Sequence, residues 1–377
     1  MKILFVGQRG MPAYAEAPTG RPYRELRVQS LAQMLAKDGH DVAVTCGRPF
    51  VSKNISCFNG VELVHLFSLG PNKAEGWVHT FLELITMWWR NPDVVHVHGW
   101  KMAALARVAA LLRPETTYVW TVDAVPDLPR WMVRLVAGSA KKVFDAVTVP
   151  TRALQYGLAR DIKVTANYVP DGYVNSELPD IPLKHFGLRK GQQYVLALVE
   201  TPAAVRKVAR AYVKAGLRKK LVVLREGKGD FSRLAKKYSF LHLAGEQTGR
   251  GLATLLAQAS IIVVDSDSSP DTALQAMACG KTIIAITPSP AEEVLGGAAL
   301  FVGDKNKPAL AEVLKSVAGS AARQAAWGRK AKKRAQAHFA WERILPDYEA
   351  LYHYPRVRSV ALDSAINTSF TKLPAVR

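Results

Sequence analysis

The segment that most limits what this chain can fold into runs from Ile261 to Ala285. It contains an apolar run, Ile261-Ile262-Val263-Val264, a polar loop, Ser266-Asp267-Ser268-Ser269, a helical stretch from Pro270 to Gly280, and a second apolar run, Thr282-Ile283-Ile284-Ala285. Short runs without charge are the pattern of strands buried on both faces, and one helix between two of them makes a strand-loop-helix-strand unit. Such a unit belongs to a parallel sheet covered by helices. Its loop lies at the carboxyl end of a strand and beside a helix N-terminus, where open α/β sheets bind phosphorylated ligands.

The same alternation begins at the first residues. Lys2 to Val6 reads as a strand, Gly7 to Tyr23 as a glycine-containing loop, and Arg24 onward as a helix whose apolar face is Leu26, Leu31, Met34 and Leu35. Gly39-His40 ends that helix before the strand Asp41 to Thr45, so the opening is Rossmann-like. Further strands are expected at Val61–His65, Val94–His98, Tyr118–Val122 and Ala146–Val149, with a helix from Trp77 to Trp89 between the first two. In that helix Trp77, Phe81, Leu84, Ile85 and Trp88 recur at helical spacing, which predicts a core face. A membrane-facing role for Trp88-Trp89-Arg90 is the second reading of the same residues.

Pro170-Asp171-Gly172 forms a turn, since Pro fixes φ and Gly accepts positive φ. Residues 176–193 hold Pro179, Pro182, Gly187 and Gly191 and read as a linker. A second domain then spans 194–334, with strands at Tyr194–Val199, Lys220–Leu224 and Leu241–Ala244 and helices at Ala203–Ala215 and Leu252–Ala259. The first domain covers 1–175, a closing helix over 335–352 returns to it, and residues 355–377 form a loosely held tail. At 377 residues, 49% of them apolar, the chain is long enough for two packed domains.

Composition narrows the function classes. The net charge of +20 is uneven: residues 1–173 carry 20 Lys and Arg against 14 Asp and Glu, and residues 174–377 carry 31 against 17. No zinc-finger spacing, basic region with heptads or Arg-aromatic RNA-binding pattern accompanies the excess, which argues against nucleic acid and leaves an anionic membrane surface or a plain Lys-rich exterior. No run of eighteen uncharged apolar residues is present, and the apolar start is too short for a signal peptide. Cys46, Cys57 and Cys279 leave one thiol unpaired in any disulfide scheme and form no metal cluster, so a reducing cytoplasmic setting without a metal site is expected.

In the order of its motifs the chain resembles the retaining glycosyltransferases of the GT-B fold, the family 4 group. The matching residues are Gly7, Arg9, Gly10 and Pro12 after the first strand, Glu25 ahead of His40, Val94-Val95-His96-Val97-His98, the Pro170-Asp171-Gly172 turn, Ala276-Met277-Ala278-Cys279-Gly280, and Glu292 to Phe301. The resemblance implies two Rossmann-like domains facing a central cleft and a nucleotide-diphosphate-sugar as co-substrate, with no cofactor and no metal. It assigns the diphosphate to helix N-termini, Gly10 and the Arg206/Lys207 pair, the donor sugar to Asp267 and the ribose to Gln275, and puts Glu25 among the donor-binding residues. His98 falls at a strand's carboxyl end, where it is expected to touch an acceptor; His96 is expected to pack.

Several places depart from the family's pattern. Asp123 stands where a histidine contacts the donor sugar, Glu200 where an arginine faces the diphosphate, Gln275 where a glutamate grips the ribose, and Gly20-Arg21-Pro22 where a Gly-Gly pair is usual. A carboxylate at 123 accepts hydrogen bonds from sugar hydroxyls, but it cannot stabilise a departing diphosphate. Gln275 keeps hydrogen bonding without charge, and neutral bonds contribute about 0.5–1.5 kcal/mol against about 1.5–3 for bonds to charged groups. The balance favours a glycosyltransferase acting on a sugar or lipid-linked sugar acceptor in polysaccharide or glycolipid assembly, peripheral at the inner membrane face. A catalytically inactive module that binds a sugar, nucleotide or protein partner is the alternative, and a nucleotide-sugar epimerase ranks below both.

Overall fold

The computed structural model describes residues 1–12, 23–47, 51, 55–67, 75–124, 129–173, 181–199, 201–224, 230–247, 249–265, 269–303 and 309–353. The chain divides into two units, Met1–Gly172 with Trp341–Arg377, and Tyr173–Ala340.

In chain order the first unit contains β1 (Lys2–Val6), α1 (Tyr23–Lys37), β2 (Asp41–Gly47), β3 (Cys57–Phe58), β4 (Val61–Leu66), α2 (Glu75–Arg90), β5 (Val94–His98) and α3 (Trp100–Leu112). It continues with β6 (Thr117–Thr121), α4 (Arg130–Lys142), β7 (Ala146–Val149), α5 (Arg152–Gly157) and β8 (Asn167–Tyr168). Its sheet runs β3-β4-β2-β1-β5-β6-β7-β8, parallel except for the short antiparallel β3. From β4 to β7 this is the doubly wound order, and the order reverses between β1 and β5.

The second unit contains β9 (Tyr194–Leu198), α6 (Pro202–Lys214), β10 (Lys220–Val223), α7 (Asp230–Lys237), β11 (Leu241–Leu243), α8 (Gly249–Gln258) and β12 (Ile261–Val264). Then follow α9 (Pro270–Ala278), β13 (Thr282–Ile286), α10 (Glu292–Leu295), β14 (Leu300–Val302), α11 (Leu310–Ala318) and α12 (Ala321–His338). All six strands are parallel, in the order β11-β10-β9-β12-β13-β14, so the reversal falls between β9 and β12. Every residue of β9, β12 and β13 is buried, as a strand covered on both faces requires.

Three expectations are corrected. Residues 181–193 are not an open linker: Leu183, Phe186 and Leu188 are buried in the second unit's core, and Thr254 Oγ1 accepts the Ile181 N–H at 3.1 Å. Pro and Gly there mark a packed turn, with Gly187 in the left-handed region at φ 70°. The closing helix is two helices: α12 ends at His338, Phe339 packs in the second core, and α13 (Trp341–His353) inserts Trp341, Tyr348 and Tyr352 into the first. In α2 the core side is Thr80, Glu83, Leu84 and Met87, while Trp77, Phe81, Ile85 and Trp88 point outward and are exposed.

Candidate functional site

At the reversal of the first sheet, the carboxyl ends of β1 and β5 meet two glycines and two histidines. Gly7 holds φ 89°, and a Cβ there would overlap the His98 carbonyl, so the close approach of β1's end to β5 requires glycine. The Gly7 N–H donates to Glu83 Oε1 at 2.7 Å, and the Thr45 hydroxyl donates to the same oxygen at 2.7 Å. A fully buried carboxylate from α2 therefore occupies this backbone donor at the head of the glycine loop. Gly10 is buried at φ 152°, and a Cβ there would overlap Val51; packing already accounts for this glycine. Glu25 Oε1 accepts from the Arg9 N–H at 3.4 Å, and the Arg9 carbonyl accepts from the Gly47 N–H at 2.8 Å.

His96 and His98 lie on one face of β5, because residues two apart in a strand point the same way. Their rings stack with centroids 4.6 Å apart, and Phe5 stacks on His98 at 6.2 Å. The expectation that only His96 packs is corrected: both imidazoles are buried, and His98 offers no exposed face to an acceptor. His96 Nδ1 lies 2.7 Å from the Tyr352 hydroxyl and Nε2 lies 2.6 Å from Thr121 Oγ1, which itself lies 2.7 Å from Thr148 Oγ1. A neutral ring accepts from one hydroxyl and donates to the other. Burial first, then the charges of His98 and Arg27, hold the His96 pKa well below 6.5.

Asp123 follows β6 and is not an uncompensated anion. Arg27, projecting from α1, donates through Nη1 to Asp123 Oδ1 and through Nη2 to Asp171 Oδ2 at 2.7 Å, with its Nε against Asp171 Oδ1. The guanidinium is 6% exposed, the carboxylates 17% and 10%. Asp123 and the turn residue Asp171 share one buried cation that the sequence motifs do not include. A signal was present: Arg27 precedes Leu31 and Leu35 by four and eight residues, which puts it on the buried stripe of α1. Asp123 is thus an oriented acceptor beside a cation, where the sequence suggested a bare anion.

In the second unit the reversal between β9 and β12 directs two helix N-termini to one strand edge. Thr201 caps α6, its Oγ1 accepting from the Ala204 N–H at 3.2 Å, and Pro202 opens the helix. Ser269 caps α9, accepting from the Asp271 N–H at 3.3 Å, and Pro270 opens it. Arg206 and Lys207 lie on the exposed side of α6, about 6–7.5 Å along the axis from its first residue. Their side chains lean toward the N-terminus because helical Cα–Cβ bonds tilt that way. Gln275 is half-buried on α9, one turn after Asp271 on the same side. Asp267 and Glu200 lie outside the described residues.

The Ala276 to Gly280 segment also has a packing role. Gly280 caps α9 at φ 65°, and its carbonyl approaches Gly328 of α12 so closely that a Cβ on Gly328 would overlap it. Small residues in this motif therefore let α9 and α12 close on each other. Gly296, at φ 46°, turns the chain after α10, and Arg334 donates to the Val294 carbonyl at 2.8 Å there. Among the described residues no group of three His, Cys, Asp or Glu side chains is arranged to hold a metal.

With this geometry in hand, comparison with known proteins is decisive for the fold. The Anabaena protein Alr3699/HepE, solved with UDP, superposes with a TM-score of 0.66 at 15% identity, over 93% of this chain and 98% of that one. The chain has the GT-B fold. Sucrose-phosphate synthase from Thermosynechococcus elongatus matches with a TM-score of 0.70 at 17% identity, covering 93% and 98% of the two chains. A glycosyltransferase from Rickettsia africae matches at 0.69 and 14% identity, covering 94% and 98%. Residues 25–172 match the model of Glycosyltransferase Family 4, within the first unit. No curated protein matches the chain in sequence. The expected resemblance to GT-B glycosyltransferases of the family 4 type agrees with both findings.

Proposed function

We propose that this GT-B chain transfers a sugar from a nucleotide-diphosphate-sugar to a carbohydrate or lipid-linked carbohydrate acceptor, with retention of anomeric configuration and without a metal. The observation that carries this reading is the pair of capped helix N-termini, α6 and α9, at the strand reversal of the second sheet, with Arg206 and Lys207 on the first of them. Helix N-termini offer backbone N–H groups and a partial positive charge, which suits a diphosphate. As the glycosidic bond to the donor breaks, negative charge grows on the departing diphosphate, and preorganised donors and cations lower that barrier. Gln275 is assigned to the ribose hydroxyls and Asp267 to the donor sugar. One solved relative by fold, the Anabaena protein Alr3699/HepE, is described in complexes with UDP and with UDP-glucose, which supports the same class of donor here.

On the first unit, the Asp123 carboxylate beside Arg27 is assigned to sugar hydroxyls. Its oxygens accept hydrogen bonds, and the guanidinium holds them in place. Two observations favour a second reading, a binding module without turnover: His98 is buried, and Asp123 is already engaged by Arg27.

A thermal-shift screen against nucleoside diphosphates and nucleotide-sugars, followed by product analysis, separates the two. A ligand at a hundred times its Kd stabilises by about 2.7 kcal/mol. Transfer requires such a shift together with formation of a glycoside and release of nucleoside diphosphate; NMR of the product reads the anomeric configuration. A shift without turnover for any donor and acceptor supports the module. No shift with any of these ligands refutes both.

A further inference from the structure

The outer face of α2, α3 and α4 carries apolar residues that the core does not use. These helices already bury one side against the first sheet, with Leu84 and Met87 on α2, Met102 and Ala106 on α3, and Val136 and Ala140 on α4. Their opposite sides are apolar again. On α2, Trp77, Phe81, Ile85, Trp88 and Trp89 are exposed, Trp89 at 83%. Leu111 of α3 is also 83% exposed, and Trp131 and Leu135 extend the apolar surface on α4. Solvated helix faces rarely present tryptophans in this number, and contiguous apolar patches mark interaction sites.

The three helices form one continuous surface. Lys101 Nζ lies 5.6 Å from the Trp77 ring centroid at one end of α2 and α3, and at the other the Arg113 Nε donates to the Trp88 carbonyl at 3.1 Å. α3 and α4 share one core cluster, and the Arg107 guanidinium of α3 lies against Gly138 of α4. Among the described residues of the three helices the exposed charges are positive, although Glu62 of β4 pairs with Arg90 at the end of α2. Neither α3 nor α4 contains Asp or Glu, whereas Lys101, Arg134, Lys141 and Lys142 are exposed on them, and the only described acid of α2, Glu83, is buried.

We infer that the α2-α3-α4 face of the first unit docks on an anionic phospholipid bilayer, its tryptophans and leucines entering the headgroup region and its cations meeting lipid phosphates. Tryptophan favours the membrane interface, and apolar insertion combined with basic residues is what holds an interfacial helix on anionic lipid. A protein interface depletes lysine and seats its aromatics in pockets; here single side chains stand out at high exposure among cations. Among the described residues no helix is long and apolar enough to cross a membrane, so the surface lies on the bilayer. This goes beyond glycosyl transfer and is testable without a donor.

The test is flotation of the full chain with vesicles of phosphatidylcholine alone and of phosphatidylcholine with about a third phosphatidylglycerol, at low salt and at about 0.5 M NaCl. The expected result is binding to the anionic vesicles, weakened by salt, with tryptophan fluorescence quenched by brominated lipid. Trp89→Ser with Leu111→Ser changes two solvent-exposed side chains, so thermal unfolding stays unchanged while partitioning falls at least tenfold. Arg134→Glu with Lys141→Glu lowers it by at least about thirtyfold on anionic vesicles. Equal binding to both vesicle types, no binding, or binding insensitive to both double variants overturns the proposal. So does a concentration-dependent dimer that Trp89→Ser with Leu111→Ser abolishes, because a second copy would then cover the face.

Discussion

Removing Arg27 should expose how the first unit tolerates the largely buried carboxylates of Asp123 and Asp171. In Arg27→Met the side chain keeps much of its volume but loses the charge that Asp123 and Asp171 share. Both acids stay at least four-fifths buried, with side-chain exposures of 17% and 10%, and neither retains the cation. Breaking a buried ion pair from one side costs about 3–5 kcal/mol, because the remaining charge stays desolvated and loses its cation. For a unit of this size about 2–4 °C accompanies each kcal/mol, which predicts a fall of about 6–20 °C in its unfolding temperature. Hydrogen exchange of amides in β5 and β6 reads the first unit alone and should show the same loss. Adding Asp123→Asn and Asp171→Asn removes both of the largely buried charges that lost their cation, so the triple variant should recover most of the stability. A loss below about 1 kcal/mol in Arg27→Met, or a triple variant no more stable than the single one, refutes the shared-cation account.

Three further outcomes follow from the geometry. His96 is buried and neutral with a folded pKa well below 6.5, so below pH 6.5 the unfolded chain binds a proton that the folded chain refuses. Stability of the first unit should therefore fall as pH drops from 6.5 toward the folded value, by up to about 1.4 kcal/mol per pH unit, and urea denaturation at several pH values should show that slope diminished in His96→Gln. Gln275→Glu restores a charged acceptor facing the assigned ribose and should tighten nucleoside diphosphate binding by about tenfold, read by calorimetry; equal or weaker binding would remove Gln275 from that role. Gly7→Ala forces a Cβ into the His98 carbonyl at φ 89° and should cost more than about 2 kcal/mol in chemical denaturation.

The two sheets were legible because a strand buried on both faces leaves an unbroken apolar run, as Ile261–Val264 and Tyr194–Leu198 do. Helical periodicity was less informative, since it reports an apolar face without saying what covers it. In α2 the aromatic stripe that reads as core is solvent-facing, and the true core side contains a buried glutamate. Arg27 and Glu83 are the instructive omissions. Each is a charged residue on the inward stripe of an amphipathic helix, and such a residue needs a partner whose place only tertiary structure supplies. The strand periodicity of two already implied that His96 and His98 share a face. Asp123 read as an erosion of the family's pattern and Asp171 as part of a turn; that a single cation serves both becomes visible only when residues 96 and 144 positions from Arg27 converge on it.

Isothermal titration of nucleoside diphosphates into the wild-type chain and into Arg206→Ala with Lys207→Ala addresses the donor assignment most directly. Two charge-assisted hydrogen bonds of at least about 1.5 kcal/mol each imply that the double variant binds at least about a hundredfold more weakly. Binding of a nucleoside diphosphate to the wild type with that loss in the variant is the predicted result. Absence of binding by every nucleoside diphosphate, or equal affinity in the two proteins, would contradict a donor site at the α6 and α9 N-termini.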